Sequence, residues 1–206
     1  MRDKKKTVVV TGFGPFGEHE VNASWVAVQE LKELGLNEDI ELVVKEVPVV
    51  YDVVDITVPA LWKEYNPVLM VHVGVSSVAS ELTLEQQGHN KGYNKPDVTS
   101  KCPEAKDFNC IIGGPDCILS HINMALVSDE VNRKENCPVK AVVSYNAGRY
   151  LCGYCYYLSL HQSSDSSVFI HVPPLNQPYS GIDLAKGLRT ALLCMLQQIE
   201  EKNTKS

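Results

Sequence analysis

The sequence predicts an α/β fold: a three-layer α/β/α sandwich with a mostly parallel, twisted central sheet. Three observations carry this. Strand-like and helix-like segments alternate from end to end. The strand-like segments are nearly continuous apolar runs, the pattern of strands covered on both faces. The 206 residues, 44% of them hydrophobic, suit a single domain over 1–206 with a sizeable core. No internal repeat or linker interrupts it.

Thr7-Val8-Val9-Val10-Thr11 is a β-branched run that reads as the first strand. The stretch 24–34 sets Trp25, Val28, Leu31 and Leu34 at helical spacing, and Gly35 stops it. A second strand spans 40–47 and ends at Pro48. The stretch 51–65 predicts a helix that Pro59 kinks or breaks. A third strand spans 68–73 and is closed by Gly74. The short piece 81–88 reads as a hairpin arm. Residues 91–115, rich in Pro and Gly, read as an irregular excursion over the surface. A helix is predicted over 118–132, a strand over 139–144, a helix over 150–161 and a strand over 167–172, stopped by Pro173-Pro174. The final helix, 183–201, aligns Leu184, Leu188, Leu192, Met195 and Ile199 on one stripe. A polar tail, 202–206, frays beyond it. In open sheets of this kind, sites form beyond the carboxyl ends of the strands. Here those junctions follow Val10, Ser144 and Ile170.

Charge and composition exclude several function classes. The net charge is −6, and no basic face is available to track a phosphate backbone, so no nucleic-acid partner is expected. The basic start, Arg2 to Lys6, is followed by only Val8 to Val10 before Thr11-Gly12. A signal segment needs ~7–15 apolar residues, and a membrane span needs ~20. No membrane partner is expected. Seven cysteines without an export signal read as reduced thiols of a cytoplasmic protein. Monomer and homo-oligomer both stay open.

The chemistry concentrates in a few places. Gly12-Phe13-Gly14-Pro15-Phe16-Gly17 spells G-x-G-x-x-G after a strand. A dinucleotide fingerprint must lead straight into a helix whose free N–H groups meet the pyrophosphate. Pro15 and the polar stretch 18–22 delay the helix instead. Phe13 and Phe16 suit an apolar clamp for a flat, uncharged group; the plain alternative is a tight turn with both rings in the core. Cys152-Gly153-Tyr154-Cys155 is C-x-x-C, but it lies late in the chain, unlike redox motifs after an early strand. Cys102, Cys110, Cys117 and His121 lack the short pairing of a structural zinc site. Cys137, Cys155 and Cys194 read as buried and inert. Cys152 differs. It opens a helix, where the dipole and free N–H groups favour an anion. His171 ends a neighbouring apolar strand, so the pair could serve as a nucleophile and its base. The ordinary reading of a strand-end histidine suffices for His19, His121 and His161, and His72 reads as a core residue bonded nearby. Glu85 is either solvated or a carboxylate that orients the imidazole. Cys155, three residues from Cys152, is a candidate for a reversible disulfide with it.

Four ordered segments then converge. Thr11 to Gly17 with Asn22-Ala23-Ser24, Val71 to Val75 with Leu84-Glu85 and His89 to Tyr93, Ala147 to Cys152, and Phe169 to Leu175 together resemble the pyrrolidone-carboxyl peptidases, a family of cysteine peptidases, in its animal form. The resemblance runs nearly end to end. It implies a single α/β/α catalytic domain that removes an N-terminal pyroglutamyl residue from peptides. It implies Cys152 as nucleophile, His171 as base and then acid, and Glu85 as the group that orients it. Phe13 and Phe16 would contact the lactam ring. No cofactor and no metal are implied. Tyr145 and Asn146, just before the Ala-Gly pair, are positions where the family pattern is loose. Two other classes compete: a binding protein that holds pyroglutamyl ends or small lactams without turnover, and a nucleotide-dependent oxidoreductase.

Overall fold

A run such as Val8-Val9-Val10 sheds water from both faces only in the middle of a sheet, and all three residues are 0% exposed. The computed structural model describes residues 5–16 and 21–205. Gly17 and His19 lie outside the described residues. In chain order the elements are β1 (Lys6–Phe13), α1 (Ala23–Leu34), β2 (Ile40–Val47), α2 (Tyr51–Tyr65), β3 (Leu69–Val75), β4 (Leu82–Glu85) and β5 (Gln87–His89). After these come a 3₁₀ turn (Glu104–Lys106), β6 (Cys117–Leu119), α3 (Met124–Arg133), β7 (Ala141–Ser144), α4 (Leu151–Gln162), β8 (Ser167–Val172) and α5 (Gly181–Lys205). The central sheet has the order β2-β1-β3-β8-β4-β7. Its strands pair in parallel except at one seam, where β4 runs antiparallel to β8. β5 and β6 form a small antiparallel pair of their own.

The two faces of the sheet are covered by different helices. Val8, Val10, Val71, Val73, Val168 and Ile170 pack with residues of α1, α3 and α5. Phe13 and Phe169 pack on the other side with residues of α2 and α4. This alternation along each strand gives the three layers.

Most boundaries obey local chemistry. Asn22 caps α1, its side chain accepting from the Ser24 N–H and donating to the Gly14 carbonyl. That cap occupies the helix start where a pyrophosphate would have to sit. Gly35 ends the same helix at φ +62°. Leu34, expected on the buried stripe, is exposed, and Ala23, Ala27, Val28 and Leu31 form the buried face. Pro59 sits inside α2 without ending it. The helix expected over 118–132 starts later. Asn123 accepts from the N–H groups of Ala125 and Leu126 and so begins α3 at Met124. Upstream, Cys117–Leu119 is a strand because its backbone pairs with β5. The piece 81–88 is not one hairpin arm. Its first half, β4, lies inside the central sheet and its second half, β5, leaves it. The stretch 91–115 is irregular as expected, yet it is anchored: Tyr93 and Cys110 are 0% exposed. α5 continues to Lys205, past the end of its apolar stripe.

Gly187 tests the packing of α5. A Cβ there would lie 2.1 Å from Val139 Cγ2 and 2.9 Å from Leu82 Cδ1. Alanine favours a helix over glycine by about 1 kcal/mol. Valine is stiff about χ1, so the overlap must be relieved by backbone movement, at about 1–3 kcal/mol. Gly187→Ala is therefore expected to destabilise the protein by about 1 kcal/mol or more, read from urea unfolding. Equal or higher stability would mean that the sheet and α5 part without cost.

Candidate active site

The antiparallel seam builds the site. In the pairing of β4 with β8, Thr83 stands opposite His171 and Glu85 opposite Phe169. Directly opposed side chains share a face of the sheet, so Glu85 and His171 are diagonal neighbours on one face. Glu85 Oε1 and His171 Nδ1 lie 2.8 Å apart. The pair is dry: Glu85 is 1% exposed and His171 8%. Tyr156 of α4 fixes both. Its hydroxyl donates to the Glu85 carbonyl at 2.7 Å. Its ring packs on Phe169, whose own ring lies 4.8 Å from that of His171.

Cys152 arrives from the opposite layer as the second residue of α4. The first bond of the helix runs from the Tyr154 N–H to the Tyr150 carbonyl, so the N–H groups of Leu151, Cys152 and Gly153 precede the ladder. The turn before them is set by Asn146. Its carboxamide oxygen accepts from the Gly148 N–H and from Arg149 Nη1. Gly148 sits at φ +79°, a conformation that favours glycine. The thiol reaches the sheet because Gly74 has no side chain. A Cβ on Gly74 would lie 2.7 Å from Cys152 Sγ and 2.8 Å from Phe169 Cζ.

The thiol acts on the imidazole and favours its charged form, and Nδ1 of that imidazole is committed to Glu85. Burial opposes a charge on His171. The hydrogen bonds and negative charges of Cys152 and Glu85 outweigh it and push the His171 pKa up to about 9. The three residues line one cleft of about 640 Å³. Phe13 and Phe16 line it too, so both are brought to the site. Phe13 is also 3% exposed and packs in the core, which joins the two readings of the loop. Its N–H donates to Ser24 Oγ and the Gly14 N–H donates to the Val47 carbonyl, fixing the wall.

The other described histidines and cysteines do not line this cleft. His72 is fully buried with Nδ1 2.7 Å from Thr11 Oγ1, and burial pushes its pKa down to about 3. His89 is held through its carbonyl by Tyr93, and His121 pairs with Asp165. Cys110 and Cys155 are buried, and burial raises both thiols. Cys137 and Cys194, expected to be buried, are half-buried. Among the described residues, no three His, Cys, Asp or Glu side chains gather closely enough to hold a metal ion. Among the described residues, no helix is long and apolar enough to cross a membrane.

Gly74 and Tyr156 were not singled out as site residues by the sequence. Gly74 was legible only as a strand stop, and Tyr156 only as one of several aromatics on a helix. Asn146 carried a signal, since it precedes the Ala-Gly pair.

The raised His171 pKa sets a pH dependence. A group whose folded pKa exceeds its unfolded value of ~6.5 stabilises the fold fully below that value. The contribution of His171 is lost as pH rises through about 9. The His171 midpoint, followed by NMR, is expected near 9 in the wild type and lower in both Cys152→Ala and Glu85→Gln. A wild-type midpoint near 6.5 would mean that burial wins and the imidazole rests neutral.

The chain matches known proteins over nearly its whole length. The profile of the Pyroglutamyl peptidase family matches residues 6–194. Pyroglutamyl-peptidase 1 of Homo sapiens is 48% identical over 205 residues, covering 100% of this chain and 97% of the relative. The pyrrolidone-carboxylate peptidase of Clavibacter michiganensis is 31% identical, covering 86% of this chain and 83% of the relative. The structure of pyrrolidone carboxyl peptidase from Thermococcus litoralis superposes with a TM-score of 0.82 at 21% identity, covering 96% of each chain. At that identity the likeness fixes the fold alone, a sandwich around the same kind of sheet. The family profile and the relatives at 31–48% identity settle the rest: the chain belongs to the pyroglutamyl peptidase family.

Proposed function

We propose that this chain is a cysteine exopeptidase that hydrolyses the N-terminal pyroglutamyl residue from peptides, with Cys152, His171 and Glu85 as its catalytic residues. The carrying observation is that Cys152, His171 and Glu85 meet in the one cleft that Phe13 and Phe16 also line, with His171 Nδ1 2.8 Å from Glu85 Oε1. Cys152 Sγ gives its proton to His171 and attacks the pyroglutamyl carbonyl carbon. The carbonyl oxygen becomes an oxyanion, and the N–H groups of Leu151, Cys152 and Gly153, which precede the helix ladder, are the donors assigned to it. His171 then protonates the leaving amine, the C–N bond breaks, and a thioester to Cys152 remains. Water that loses a proton to His171 attacks the thioester, pyroglutamate leaves, and the thiol is restored. Glu85 holds the imidazole by Nδ1 throughout and balances its charge.

The cleft supports the choice of substrate. A pyroglutamyl ring is a flat, uncharged lactam that fits beside two aromatic rings. A free N-terminal glutamine would bring an ammonium into the same slot, at a desolvation cost of several kcal/mol. We take residues 1–206 as one catalytic domain, since a single sheet uses strands from Lys6 to Val172. The seven free thiols suit a reducing compartment such as the cytoplasm.

Two substitutions test the reading on a pyroglutamyl fluorogenic amide. Cys152→Ser is expected to lose activity by ~10³-fold or more. Full activity in that protein would end the assignment, and tight binding without turnover by the wild type would make it a binding protein. Gly74→Ala is expected to fold, yet to lose ~10²-fold in kcat because the new methyl displaces Sγ. Wild-type turnover by folded Gly74→Ala would mean that the thiol position is not limiting.

A further inference from the structure

The cleft wall carries a charged side chain that the chemistry above does not use. Lys95 lines the cleft with Cys152 and His171. Among the described residues, the other permanent charge on that lining is Glu85, which is buried and bonded to His171. Lys95 is exposed. Among the described residues it pairs with no carboxylate. Its ammonium instead lies 4.6 Å from the ring centroid of Tyr150, a cation–π distance. Tyr150 is the N-cap of α4, two residues before Cys152.

This part of the wall is built. The Tyr51 hydroxyl donates to the Lys95 carbonyl at 3.1 Å, and the Tyr51 ring packs edge-on against Tyr150. Two residues on, the buried Asp97 carboxylate accepts from the N–H groups of Tyr51, Thr99 and Lys101 and from the Thr99 hydroxyl. Asp97 thereby ties the loop to the start of α2, and its oxygens are occupied without Lys95. The other lip, residues 75–79, is Val-Ser-Ser-Val-Ala and carries no charge. A pyroglutamyl ring fills only part of a cleft of about 640 Å³. The remainder receives the peptide residues beyond the scissile bond, on a wall whose one exposed charge among the described residues is positive.

Resting on the peptidase reading, we infer that Lys95 and Tyr150 form a carboxylate subsite. It favours peptides with a carboxylate directly behind the pyroglutamyl residue, either an acidic side chain or the free C-terminus of a dipeptide. An ammonium has three donors, and contact with one ring face leaves donors for a carboxylate. Lys95 is solvent-exposed, so its effect is modest, about 1.5- to 5-fold in kcat/KM.

The experiment compares kcat/KM for pyroglutamyl-Glu-amide, pyroglutamyl-Gln-amide, pyroglutamyl-Lys-amide and pyroglutamyl-Gln free acid. The wild type is expected to prefer the Glu amide to the Gln amide by about 1.5- to 5-fold and to disfavour the Lys amide. Lys95→Met is expected to level the three amides, and Lys95→Glu to reverse their order. The wild-type preference is expected to shrink at 1 M salt, where charges are screened within about 3 Å. The free acid against its amide reports whether a terminal carboxylate is recognised as well. A Glu-to-Gln ratio unchanged by Lys95→Glu, or a wild-type ratio of one, would overturn the subsite while leaving the peptidase reading intact. A wild type that turns over none of the four peptides would refute the peptidase reading, and the subsite with it.

Discussion

The site depends on one antiparallel pairing. In an all-parallel sheet the residues at the carboxyl ends of neighbouring strands would open into the same loop region. Here β4 is inserted against the run of β8, so it ends where β8 is still inside the sheet. Glu85 therefore sits opposite Phe169, with His171 one diagonal step away on the same face. A one-residue slip of β4 would turn Glu85 to the α1–α5 side and expose Leu84 to the cleft. Leu82 and Leu84 in the core thus hold the carboxylate in register.

Burial gives that register its electrical meaning. An isolated carboxylate at 1% exposure would be strongly disfavoured. Glu85 keeps its place through His171 Nδ1 on one oxygen, while Oε2 has no hydrogen-bond partner among the described residues. The negative charge is thus directed at one imidazole. Removing one member of such a pair typically costs about 3–5 kcal/mol, so the fold as well as the chemistry depends on His171. His72 makes the contrast. It is equally buried but faces only a threonine hydroxyl, and its pKa falls where that of His171 rises. The decisive difference is a carboxylate and a thiol, not burial.

Much of this was legible before the fold was known. β2 and α2 begin and end where Pro48 and the helical spacing put them. Cys152, His171 and Glu85 stood out by type and by junction. β4 did not, because Leu82-Thr83-Leu84-Glu85 alternates like a strand with one face in water. Its polar face is in fact the lining of the cleft, a place that alternation cannot distinguish from solvent. The false helix over 118–123 has a related cause. Its apolar residues fit a helical period, and only the distant partner β5 draws them into a strand. Gly74 and Tyr156 act across the fold, on Cys152 and Glu85, and no local pattern encodes such contacts.

The two halves of the site are held by different means. The reacting groups sit on a strand, a strand end and a helix start, where backbone ladders fix position. The walls come from loops, which are ordinarily the mobile parts of a fold. Here tyrosine hydroxyls restrain the stretch 89–115, whose Lys95 lines the cleft. Tyr51 holds the Lys95 carbonyl, Tyr93 that of His89, and Tyr157 that of Pro115, while Tyr154 bonds Asp55 beneath the loop. The rings of Tyr51, Tyr93 and Tyr154 pack edge to face, with centroids 4.9–6.5 Å apart. A rigid apolar cluster thus carries polar ends that reach into an irregular segment. Lys95 can vary at the cleft side while its carbonyl and the neighbouring Asp97 stay fixed. Substrate preference can then shift through one exposed side chain, with the catalytic register of β4 and β8 untouched.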